Sequence, residues 1–142
     1  MPSLSYRMDL AFARDQVWEE WTTARGLAGW LCPHARIDPV VGGAIELGWC
    51  SDGACPPPVT GRVLSLFRPR CLVWSWPTPS GDTELQVELI PSLDGTRLEV
   101  THGGWAEGPE AEAARELQHR AWSDALERLR VQLARQGASG RS

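Results

Sequence analysis

His102 is the residue whose type best suits proton chemistry. It ends an alternating run in which Leu98, Val100 and His102 face one way and Arg97, Glu99 and Thr101 the other. A general base needs a pKa near working pH and a partner within hydrogen-bond reach. The candidate carboxylates Glu84, Glu88 and Glu99 all fall on the opposite, wet face. An inward histidine without a carboxylate reads first as a hydrogen-bonded structural group. Ser75, Thr101 and Ser123 form no nucleophile motif with any histidine. Gly42-Gly43 and Gly103-Gly104 are turns or bulges rather than phosphate loops, since no Lys follows and no helix opens there.

Metal chemistry would fall to the cysteines. There are four, Cys32, Cys50, Cys55 and Cys71. Cys50 and Cys55 are separated by four residues, just outside the usual zinc spacing. Only the addition of Cys32 and His34 would make a four-ligand set. Four reduced thiols and no metal are expected. No cofactor is expected either.

Binding chemistry is better represented. Eight tryptophans stand in 142 residues. Trp49, Trp74, Trp76 and Trp122 fall on faces expected to point inward, and Trp30 and Trp105 lie at loop ends that could rim a mouth. Rigid flat rings with one polar handle suit a flat apolar ligand. They also suit plain core filling. The expected binding set is Trp30, Trp49, Trp74, Trp76, Val87, His102, Trp105, Trp122 and Leu126.

The elements that would position these residues follow from periodicity. Tyr6 to Leu10 reads as a first strand. Val17, Trp18 and Trp21 are at helical spacing, with Asp15 as the expected N-cap. A second short helix spans Thr23 to Gly29. Strands are expected at Ala44–Trp49, Val59–Phe67, Cys71–Trp76, Glu84–Ile90 and Thr96–His102, with a loop at Cys50–Pro58 and a tight turn at Asp94-Gly95. Their alternation gives antiparallel strands with one dry face.

From Gly108 the period changes to that of a helix. Leu117, Ala121, Trp122, Ala125, Leu126, Leu129 and Leu133 make one apolar stripe. Gly137 should end this helix, giving roughly 27 residues, about 40 Å at the helical rise. The sheet must bury its dry face, and this helix is the element long enough to cover it. One domain over residues 1–137 and a flexible tail over 138–142 are expected. The fold class is α+β: a curved antiparallel sheet gripping a long C-terminal helix, with two short helices after the first strand.

Bulk properties exclude other classes. The net charge is −4, and all 14 basic residues are Arg. An acidic domain without a basic stripe lacks the footprint of a nucleic-acid binder. No apolar run approaches the roughly 20 residues of a membrane helix. The N-terminus has no signal-peptide core, so a cytoplasmic location is expected.

Five segments carry a resemblance. They are VWEEWTTARGLAGWL (Val17 to Leu31), IDPVVGGAIEL (Ile37 to Leu47), PRCLVWSW (Pro69 to Trp76), GTRLEVTHGGW (Gly95 to Trp105) and AWSDALERLRVQL (Ala121 to Leu133). Together, in this order, they resemble the activator-of-heat-shock-protein-90-ATPase-like branch of the START/Bet v 1 (SRPBCC) superfamily. Two positions depart from that pattern, and the proline run Pro56 to Pro58 is unusual for it. Ala121 stands where the family usually has Gly, and Gln118 stands where it frequently has His. The resemblance implies a helix-grip fold with a cavity between helix and sheet. Members of the superfamily bind lipids, hormones and polyketides, and some cyclise polyketides.

Three functions therefore stay open. The first is binding of a small apolar or aromatic ligand in that cavity. The second is a cyclase-like or hydrolytic enzyme using the same cavity. The third is a protein-interaction or co-chaperone domain acting in stress response, with a protein partner or a homodimer. Sparse acid and base groups on the inner face favour the first over the second.

Overall fold

The computed structural model describes residues 3–49 and 57–139, with side chains described through residue 136. The elements run β1 (Leu4–Leu10), α1 (Arg14–Thr22), α2 (Ala24–Trp30), β2 (His34–Ile37), β3 (Ala44–Gly48), β4 (Val59–Phe67), β5 (Cys71–Thr78), β6 (Gly81–Ser92), β7 (Gly95–Gly103) and α3 (Pro109–Ser139). The strands form one sheet in the order β1-β7-β6-β5-β4-β3-β2. Every neighbouring pair is antiparallel. From β2 onward the sheet is a meander, and β1 closes it by pairing with β7.

Alternation decides which face is dry. Leu72, Trp74 and Trp76 of β5, Leu85, Val87 and Leu89 of β6, and Leu98, Val100 and His102 of β7 are all buried. The register aligns them in rows, with Trp74 opposite Leu85 and Leu85 opposite His102. The sheet curls toward this face. A bulge between Val63 and Ser65 bends β4. Gly61 lets β4 approach the Ser75 carbonyl so closely that a Cβ there would collide with it.

The inside of the curl is filled from two directions. Helices α1 and α2 supply Val17, Trp18, Trp21, Leu27 and Trp30 at one end. The C-terminal half of α3 supplies Trp122, Ala125, Leu126, Leu129 and Leu133. Trp21 sits between the layers, with its ring centroid 6.1 Å from Trp74 of the sheet and 6.2 Å from Trp122 of α3.

Several local expectations are corrected. The N-cap of α1 is Ala13, whose N–H donates to the Gln16 side chain at 3.1 Å, so Asp15 lies in the first turn, where its charge suits the helix dipole. A short strand, β2, forms at His34–Ile37, a segment too short and too exposed to show a period-2 signal. Helix α3 continues past Gly137 to Ser139, two residues into the segment expected as a tail; residues 140–142 lie outside the described residues. Leu117, expected in the buried stripe, is 67% exposed. Ala111 in the first turn of α3 is buried, and Leu117 lies on the flank of the helix that faces the cleft described next.

Candidate ligand cleft

The helices α1 and α2 plug only one end of the curl. At the other end a cleft of about 680 Å³ stays open between the start of α3 and the sheet. Its aromatic walls are Trp49, just after β3, Trp76 of β5 and Trp105, just before α3. Pro57, Pro58, Pro77 and Pro79 close the sides. The roof is Ala114, Leu117, Gln118 and Ala121 of α3. The small residues Ala114 and Ala121 make the space. Further along the same helix Trp122, Leu126 and Leu129 fill it.

The three wall tryptophans are held from behind. Trp49 Nε1 donates to the Leu31 carbonyl at 3.1 Å, and Trp105 Nε1 donates to the His102 carbonyl at 2.9 Å. Trp76 stacks at an angle on both Trp49 and Trp122, with centroids 6.0 and 5.7 Å apart. After His102, Gly104 adopts φ +84, a conformation open to glycine, and the chain then carries Trp105 back over the cleft.

His102 lies directly beneath these rings and is fully buried. The Thr83 hydroxyl donates to the Trp76 carbonyl at 2.6 Å, so it must accept from His102 Nε2–H at 2.7 Å. The Trp122 indole N–H donates to Nδ1 at 3.0 Å. The ring is thus the neutral Nε2–H tautomer with both nitrogens occupied. Burial pushes its pKa down to about 4. His102 has no nitrogen left to orient a ligand, and it is the hub that fixes Trp76, Trp105 and Trp122.

Of the residues expected to bind, then, Trp49, Trp76 and Trp105 come together around the cleft. Trp122 lies in the core and reaches only a smaller adjoining groove of about 240 Å³. Trp30, Trp74, Val87, His102 and Leu126 lie in the core and do not line the cleft. Trp30 was expected at the mouth. Its ring is buried 4.6 Å from Trp21, and its N–H donates to the Glu20 carbonyl. The prolines and the α3 roof escaped the sequence reading. Their available signals were the unusual run of prolines and the two positions, Gln118 and Ala121, that depart from the family pattern.

Other titratable groups lie elsewhere. Tyr6 Oη and His119 Nδ1 are 2.8 Å apart on the outer side of α3, and burial of the phenol followed by the Glu116 charge pushes Tyr6 up to about 12. Glu20 of α1 is buried with one carboxylate oxygen unpartnered, and desolvation raises its pKa. Cys32 and Cys71 are free thiols, and burial raises the Cys32 pKa. Cys50 and Cys55, needed for the four-ligand zinc set, lie outside the described residues. No cluster of three or more His, Cys, Asp or Glu stands among the described residues. Among them, too, no helix is long and apolar enough to cross a membrane.

The geometry can be set beside known proteins. No curated protein matches the chain. Solved structures do. A Mesorhizobium loti protein superposes with a TM-score of 0.81 at 18% identity, covering 95% of this chain and 98% of its own. A Rhodobacter sphaeroides protein superposes with a TM-score of 0.76 at 26% identity, covering 93% and 91%. The Aha1 dimer from Colwellia psychrerythraea gives a TM-score of 0.77 at 20% identity, covering 94% and 96%. These likenesses establish the helix-grip fold. The sequence pattern of one family, described as activator of Hsp90 ATPase homolog 1-like protein, matches residues 11–134. Since that span takes in all but the first strand and the two chain ends, the chain belongs to the activator of Hsp90 ATPase homolog 1-like family.

Proposed function

We propose that the chain binds a small apolar or aromatic molecule reversibly in the cleft between α3 and the sheet. One observation carries this reading. The cleft is bounded by three held tryptophan rings and is about 680 Å³, within the usual range for small-molecule sites. Catalysis is the weaker reading. No titratable side chain lines the cleft among the described residues, and the histidine beneath it has both nitrogens spent.

The test is to fill the space. Ala121→Trp places a large ring on the α3 roof, at an exposed position where the fold loses nothing. N-phenyl-1-naphthylamine should brighten saturably with the wild type. The variant should keep its circular dichroism and melting temperature and lose at least about tenfold in affinity, a shift of about 1.4 kcal/mol. Undiminished binding by a folded Ala121→Trp would place the site elsewhere.

The dimeric Colwellia protein supports a homodimer here as well. Light scattering should then give twice the chain mass of 15.7 kDa. A single-chain mass across the micromolar range would remove the idea.

A further inference from the structure

We infer that the cleft selects a non-anionic ligand carrying one hydrogen-bond acceptor, read by the Gln118 amide and the Trp76 indole N–H. This rests on the proposed binding role and goes on to name the class of molecule.

Charge comes first. The described lining residues include no Asp, Glu, Arg or His. An anion placed among Trp, Pro, Ala and Leu would lose hydration without gaining a partner, whereas a cation could still meet the tryptophan faces. The cleft therefore discriminates against anions.

The polar groups in the lining then narrow the ligand further. The Thr78 hydroxyl is committed, donating to the Gly81 carbonyl at 2.6 Å and accepting from Ser80 N–H at 3.3 Å. The indoles of Trp49 and Trp105 are committed to the Leu31 and His102 carbonyls. Two groups are left. Neither the Trp76 N–H nor the Gln118 amide hydrogen-bonds another described residue, and both residues line the cleft. An indole offers only a donor, and an amide offers both a donor and an acceptor. A carbonyl, ether or phenol oxygen satisfies the pair, and a saturated hydrocarbon leaves both dry.

The test uses one ring system and varies only its substituent. Calorimetry would compare 2-acetylnaphthalene, 2-ethylnaphthalene and 2-naphthoate. The ketone should bind about fivefold more tightly than the ethyl compound, as one net hydrogen bond allows. The naphthoate should bind more than about tenfold more weakly than the ketone. Gln118→Leu should lower the ketone-to-ethyl ratio toward one. Trp76→Phe, which keeps a ring and removes the N–H, should lower the ratio as well. If all three probes bind alike, or if neither variant changes the ratio, the inference is overturned and the binding reading stands. If no probe binds, both fall.

Discussion

His102 shows how one buried side chain sets the local chemistry. In the unfolded chain it protonates near the ordinary value of 6.5, and in the fold it resists protonation until about pH 4. A group held neutral in the fold costs stability wherever the unfolded chain takes up the proton. Stability is therefore intact above pH 6.5 and falls as the pH drops toward 4. The full loss is about 3 kcal/mol, from the two and a half units between those values. Urea melts between pH 7 and 4 should show this slope, and His102→Gln should flatten it. Glu20 slopes the other way. Its pKa is raised by desolvation, so the unfolded chain releases its proton first and the charged carboxylate burdens the fold as the pH rises. Glu20→Gln should raise the melting temperature near neutral pH, and the gain should shrink in acid. A variant no more stable than the wild type at neutral pH would show that Gln132 and Arg25 compensate the charge in full.

At the scale of elements, α3 does two jobs along its length. Its later turns bury Trp122, Leu126, Leu129 and Leu133, and its earlier turns roof the cleft with Ala114, Leu117, Gln118 and Ala121. Leu117→Asp should leave stability within about 0.5 kcal/mol of the wild type, as surface changes usually do. Trp122→Ala should cost about 3–5 kcal/mol, since it empties a fully buried site and strips His102 of a donor. Chemical denaturation measures both, and equal costs would refute this division of the helix. Periodicity found the helix and its buried stripe. It did not reveal the division, because Leu117 lies at the edge of the stripe, about 120° around the helix from Leu129, and periodicity does not show what lies beneath that edge. The strands of the meander were legible because Leu85, Val87 and Leu89 alternate with polar residues along a full strand. The site was legible only in part. Sequence gives the face on which Trp74 and Trp76 point, and it does not give depth. That depends on where Trp21, from a distant helix, plugs the curl.

The whole molecule is a curled sheet stoppered at one end and open at the other. The stopper, made of α1, α2 and the later half of α3, supplies the packing. Among the described residues, the open end has Ala114 and Ala121 where later turns of α3 carry Trp122 and Leu129. A fold arranged this way tolerates change at the cleft far better than in the core. Truncation at Gly108 removes both the stopper's last layer and the roof, so the shortened chain should lack cooperative unfolding by circular dichroism.

The central claim is that ligand enters at the end marked by Trp49, Trp76 and Trp105. Nitrogen-15 NMR of the indole N–H groups tests it directly, because the tryptophans sample both the cleft and the core. On titration with 2-acetylnaphthalene the Trp49, Trp76 and Trp105 signals should move saturably, with those of Trp21, Trp30 and Trp74 unmoved. Shifts confined to the core indoles, or no saturable shift in any, would contradict it.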